Sequence, residues 1–146
     1  GAMGLTSSHA LGFAIGLPDR RIILLDGDGS LLMNLGCLVS IAEAAPRNLI
    51  HMVCQNGTYE ANGGHPIPGQ DRVDFAAMAK AAGYPHTHEI SDLADFNDRI
   101  DGILEEDGPV FVDVKVEPGE KSPRDYGIMH GAKTREEFRA ALKALR

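Results

Sequence analysis

The sequence predicts an α/β domain of three layers, α/β/α, built on a mainly parallel sheet. Three observations predict it. Short apolar runs of strand length alternate with stretches whose apolar residues recur every three and four positions. The runs "RIILL", "LIHMVCQ" and "PVFVDVKV" are nearly continuous in apolar residues, as strands buried on both faces are. Finally, 146 residues are enough for one compact domain with its own core and too few for two, so residues 1–146 are read as one domain.

From Gly4 to Leu17, "GLTSSHALGFAIGL" places small and apolar residues at helical spacing, and Pro18 ends it. "RIILL" follows as a central strand that delivers residues 26–29 to its carboxyl end. In "LGCLVSIAEAA", Leu35, Leu38, Val39, Ala42 and Ala45 form one helical stripe, stopped by Pro46. "LIHMVCQ" is the next buried strand, and residues 56–70, rich in glycine and proline, read as a loop. "VDFAAMAKAAGY" is a helix with Asp74 near its start and Gly83 just past its end. Strand "HTHEI", helix "DLADFNDRIDGILEE" and strand "PVFVDVKV" continue the alternation. The last segment, "TREEFRAALKAL", predicts a helix N-capped by Thr134 with Glu137 in capping-box spacing.

The balance of 43% hydrophobic and 24% charged residues is that of a globular protein, and no apolar run reaches the length that spans a bilayer. A net charge of −7 argues against nucleic acid or an anionic membrane as main partner, since both require a basic surface. It leaves room for a local anion site made of backbone N–H groups and a bound cation. Only Cys37 and Cys54 occur and no leader pattern precedes the fold, so reduced buried thiols and a cytoplasmic location are expected.

In a parallel sheet, ligands sit beyond the carboxyl ends of the strands. Asp28, between Gly27 and Gly29, and Asn56, before Gly57, both stand at such ends, on strands joined by one helical crossover. A carboxylate and an amide oxygen suit a small hard cation such as Mg²⁺ that shares its shell with phosphate oxygens. "GDG" alone is a common turn. A nucleotide P-loop is disfavoured because no Lys-Ser or Lys-Thr follows the glycines, and "GDGSLL" lacks the third glycine of a dinucleotide fingerprint.

"GDGS", with an asparagine 26 positions after Ser30 at the end of an apolar strand and "GAMG" at the start, resembles the signature of thiamine diphosphate enzymes. "GAMGLTSSHALGFAIGLP", "LDGDGSLLMNLG", "NLIHMVCQNGTYEANGG" and "VDFAAMAKAAGY" are most similar to the cofactor-binding subunit or half of sulfopyruvate and phosphonopyruvate decarboxylases, a likeness covering nearly the whole chain. The resemblance implies the thiamine diphosphate-binding fold, with Mg²⁺ held by the side chains of Asp28 and Asn56 and the backbone carbonyl of Thr58. It implies that Gly27, Gly29 and Ser30 meet the diphosphate, that Met3 is the apolar wedge holding the cofactor bent, and that backbone groups of Gly1 and Met3 meet the aminopyrimidine. Two departures stand out: Gln55 and Asn56 replace the paired asparagines common in the family, and His65 stands where relatives commonly carry glutamine.

The reaction so implied is thiamine diphosphate- and Mg²⁺-dependent decarboxylation of a small-molecule 2-oxo acid, sulfopyruvate- or phosphonopyruvate-like, to an aldehyde. His65 and Glu60, on the loop after the metal motif, are the candidates for proton transfer or substrate contact, and each also fits a solvated surface residue. In this superfamily a glutamate from a pyrimidine-binding domain activates the cofactor. That domain has no counterpart here, so a partner subunit or upstream domain is expected, with native residues before the "GAMG" turn and a dimer or tetramer of such pairs. Rival readings are an acetolactate synthase-like carboligase component, a non-catalytic cofactor-binding regulatory subunit and a Mg²⁺-dependent nucleotide-binding module. Arg47, Arg72, Lys121 and Arg124 are available cations for a sulfonate or phosphonate, each also explained as surface charge. His86 and His88 alternate on one strand without a third metal ligand, His51 reads as a satisfied core residue, and His9 and His130 carry no chemical signal.

Overall fold

The computed structural model describes residues 3–119 and 125–145. Helix α1 (Thr6–Gly16) buries the small residues Ser7, Ala10 and Ala14, which let it lie close on the sheet. Strand β1 (Ile22–Gly27) runs directly into a short helix, α2 (Asp28–Leu32). A turn over residues 33–36 separates α2 from α3 (Cys37–Ala44), where Asn34 N–H bonds Leu31 and Cys37 N–H bonds Asn34. The stripe read from Leu35 is therefore helical only from Cys37. Helix α3 ends with Ala45 in the left-handed region (φ 44°), since the residue before a proline is pushed out of the helical conformation.

Strand β2 (Leu49–Gln55) is followed by a small antiparallel hairpin, β3 (Thr58–Tyr59) and β4 (His65–Pro66), joined through a 3₁₀ turn at Glu60–Asn62. This hairpin lies inside the stretch expected to be loop; its two-residue strands are too short for a period to register. In helix α4 (Phe75–Ala82), Asp74 caps the start by accepting from Ala77 N–H at 2.7 Å, and Gly83 ends it at φ 111°. Strand β5 (His86–Ile90), helix α5 (Leu93–Glu105) capped by Asp92, and strand β6 (Val110–Lys115) complete the alternation.

The C-terminal segment departs from expectation. A short helix, α6 (Tyr126–His130), leads into α7 (Ala132–Ala144), whose N-cap is Gly131. The capping box is absent: Thr134 lies inside α7, and its hydroxyl bonds the Ile128 carbonyl of α6 at 2.8 Å. The preceding helix claims the hydroxyl that an isolated α7 would have used at its own start.

Among the described residues the main sheet is wholly parallel, in the order β1-β2-β6-β5. One face carries α1, α3 and α4 on Leu24, Leu49, Val53 and Phe111. Helix α5 covers the other through Ile103, Phe96 and Ile100, against Ile50, Met52, Ile90, Val110 and Val112. Three layers result, as expected. That second face is bare over β1, where Ile23 and Leu25 stay exposed.

Candidate active site

Because β1 and β2 are adjacent and in parallel register, with Gly27 opposite Cys54, their following turns meet at one edge. Asp28, only 2% exposed, is the residue on which they converge. Its Oδ1 accepts from Gly29 N–H at 2.6 Å, and its Oδ2 accepts from Gly57 N–H at 2.7 Å, which ties the first turn to the second. Gly57 sits at φ 75°, where other residues are strained. Burial pushes the Asp28 carboxyl above its ordinary value, and the backbone N–H groups only partly offset this. Among the described residues no cationic side chain pairs with it.

Gly29 is required by contact: a Cβ there would stand 2.5 Å from the Tyr59 ring of β3. Asn56 Oδ1 accepts from Thr58 N–H at 2.9 Å and from the Thr58 hydroxyl at 3.2 Å, while its amide donates to Glu60 Oε2. Met3 reaches the same loop, its sulfur 3.7 Å from Asn62 Nδ2, and Gly4 N–H donates to Ser30 Oγ at 3.1 Å. Met3, Gly27, Asp28, Gly29, Ser30, Asn56, Thr58 and Glu60 are thus brought to one edge. His65 stands apart: it is exposed on β4, its ring beside Gly63. Gly1, Lys121 and Arg124 lie outside the described residues. Arg47 pairs with Asp107 at the opposite, amino end of β2, away from this edge. The donor set, one unpaired carboxylate with amide and carbonyl oxygens, fits a small hard cation.

Sequence reasoning missed a buried polar chain behind the two turns. Asp26, facing inward from β1, accepts from the Ser7 hydroxyl at 2.7 Å and from Gly27 N–H at 2.9 Å. Burial raises its carboxyl, but His51 and the hydroxyls of Ser30 and Ser7 outweigh that and hold it below the ordinary range. His51 is fully buried, with Nδ1 3.2 Å from the Tyr84 hydroxyl and Nε2 unpartnered, 3.9 Å from Asp26 Oδ2. It is therefore only half satisfied. Burial pushes the Tyr84 phenol and the thiols of Cys37 and Cys54 up, so all three stay protonated at neutral pH. The available signal was the alternation in "ILLDG", which points Asp26 to the same face as Leu24.

Two further clusters neutralise themselves. Lys115 Nζ bonds Gln55 Oε1 at 2.6 Å, Asp113 Oδ2 at 2.7 Å and Glu89 Oε2 at 3.1 Å. Burial opposes the charge on Lys115, but these carboxylates outweigh it and raise its pKa, whereas burial lifts the carboxyl of Asp113. His86 and His88 both approach Glu106 Oε2, at 3.9 and 2.9 Å. Arg99 donates to Nδ1 of His88 at 3.2 Å, which leaves the other nitrogen to donate to Glu106 rather than to bind metal.

Residues 1–114 match the family model described as "Thiamine pyrophosphate enzyme, C-terminal TPP binding domain". The chain belongs to this family. Over 119 residues, 82% of its length, this TPP-binding domain is 40% identical to phosphonopyruvate decarboxylase of Streptomyces viridochromogenes, covering 30% of that protein. It is 41% identical, again over 82% of its length, to sulfopyruvate decarboxylase subunit beta of Methanothermobacter thermautotrophicus, covering 60% of that protein. The solved structure of a thiamine diphosphate-dependent 4-hydroxybenzoylformate decarboxylase from Rhodococcus jostii superposes with a TM-score of 0.66 at 25% identity, over 82% of this domain and 24% of that chain. The TPP-binding domain thus spans less than two thirds of each of these relatives. Among its described residues no helix is long and apolar enough to cross a membrane.

Proposed function

We propose that this chain is the cofactor-binding component of a thiamine diphosphate- and Mg²⁺-dependent 2-oxo acid decarboxylase acting on a sulfopyruvate- or phosphonopyruvate-like substrate and releasing an aldehyde. The observation that carries the reading is Asp28: a buried carboxylate without a cationic partner, held by the N–H groups of two neighbouring turns, in a TPP-binding domain. When bound, the cofactor supplies a nucleophilic carbon and an electron sink for decarboxylation.

This chain's residues bind and orient. Asp28 and the oxygens of Asn56 and Thr58 hold Mg²⁺. The backbone at Gly27, Gly29 and Ser30 receives the diphosphate, beside the Ser30 hydroxyl, whose oxygen accepts from Gly4 N–H. Met3 supports the cofactor rings, with backbone groups of Gly1 and Met3 at the aminopyrimidine. Glu60, bonded to the Asn56 amide, fixes that ligand's orientation. His65, exposed on β4, is the remaining candidate for substrate contact or proton transfer. The glutamate that activates the cofactor comes from a pyrimidine-binding partner subunit or upstream domain, in a dimer or tetramer of such pairs. The exposed Ile23 and Leu25 on the bare face of β1, with Leu5 and Met33, support such a partner.

Calorimetric titration of thiamine diphosphate with Mg²⁺, into this chain and into its assembly with the pyrimidine-binding partner, tests the reading. Binding that requires both metal and Asp28, followed by release of carbon dioxide and aldehyde from a 2-oxo acid, is expected. Absence of binding to the assembly overturns the enzyme reading, and binding without turnover favours a regulatory subunit.

A further inference from the structure

The buried chain behind the two turns has a geometry that the metal ligands do not explain. Asp26 stands at the meeting point of three elements. Ser7 reaches it from α1, two residues after the Met3–Leu5 turn. Ser30, on α2, lowers the Asp26 carboxyl through its hydroxyl, and its oxygen accepts from Gly4 N–H. His51 backs it from β2, itself held by Tyr84. Ser7, Asp26, Ser30 and His51 are all more than nine-tenths buried, so the Ser7–Asp26 bond is shielded from competing water. Gly4 is in the left-handed region (φ 82°), and a Cβ there would stand 3.1 Å from Met33 Cβ, so the Met3 turn is also seated sterically on the segment after α2.

We infer that Asp26 and Ser7 are positioning residues that fix the Met3 turn relative to the Asp28–Ser30 turn, and so set the spacing between the ring-supporting and diphosphate-holding parts of the cofactor site. The inference rests on the function proposed above and adds to it. Neither residue touches the cofactor; they act through Gly4 and Ser30. A ligand that spans both turns depends on their spacing, whereas one confined to the Asp28 turn does not.

That difference supplies the test, made on the assembly with its partner at saturating Mg²⁺, using thiamine diphosphate and inorganic pyrophosphate as probes. Ser7→Ala, a small change on α1 that leaves the Asp28 turn untouched, is expected to weaken thiamine diphosphate about tenfold while pyrophosphate changes less than twofold. Asp26→Asn is the second variant. In the cofactor-free protein, hydrogen exchange at the Gly4 amide is expected to quicken about tenfold in both variants. Unchanged thiamine diphosphate affinity in Ser7→Ala overturns the inference, and so does an equal loss for both probes, which marks Ser7 as ordinary structural support. If the unsubstituted assembly binds pyrophosphate but gains nothing from the rest of thiamine diphosphate, the cofactor reading fails and the inference falls with it.

Discussion

Two acidic regions share the carboxyl edge of the sheet and solve the same electrostatic problem in opposite ways. Within β5 and β6, the buried Asp113 and the exposed Glu89 are served by Lys115, which also holds Gln55. Beyond β1 and β2, Asp28 is just as deeply buried but receives only backbone N–H groups. The first region brings its own cation, although burial still raises Asp113 and leaves its Oδ1 unpartnered. The second carries a charge that burial penalises and that a cation from solution would relieve, which is why it reads as a binding site and the first as scaffold.

The largest expected effect breaks the self-sufficient region. Lys115→Met leaves Asp113 buried without its counter-charge, with Oδ1 already unpartnered, and should lower stability by about 3 kcal/mol in denaturant unfolding, whether or not Mg²⁺ is present. Asp28→Ala does the reverse: it should weaken Mg²⁺-dependent thiamine diphosphate binding about 100-fold by calorimetry, worth about 2.7 kcal/mol at 1.4 kcal/mol per decade. Equal sensitivity of both variants to Mg²⁺ would erase the contrast between the regions.

Glu60→Ala, which frees the Asn56 amide, should raise the Mg²⁺ concentration needed for cofactor binding about fivefold, read from thermal shifts against metal concentration. The smallest effect sharpens the contrast most. The Asp28 carboxyl is pushed up in the folded state, so its ionisation destabilises the metal-free fold at neutral pH, and the cost disappears below the ordinary carboxylate value, where both states are protonated. Asp28→Asn should therefore remove this pH-dependent cost, so that the stability of the metal-free variant changes less between about pH 3 and pH 7 in denaturant unfolding than that of the unsubstituted chain. The variant's melting temperature should also stop responding to Mg²⁺.

Much of this was legible in the chain. The apolar runs at β1, β2 and β6 and the helical stripes gave the alternation. Asp74 and Gly83 bound α4 as their chemistry predicts. The pairing of Asp28 with Asn56 at one edge followed from parallel strands joined by one crossover. Thr134 misled because the same hydroxyl can cap its own helix or bond back to an earlier one, and only the presence of α6 decides between them. Glu60 and His65 look equivalent in "YEANGGHP", yet the 3₁₀ turn brings Glu60 to Asn56, while the hairpin leaves His65 exposed beside Gly63.

The sequence by itself determined most of the alternating strands and helices and the two glycine-flanked turns, because propensity, period and turn chemistry act over a few neighbouring residues. Only the tertiary structure decided which charges are partnered. Lys115 reaches back to Gln55 across 60 positions, Ser7 reaches Asp26 across 19, and Asp28 is left with backbone alone. Such bonds depend on which faces the packed helices bring together, and no local pattern encodes that.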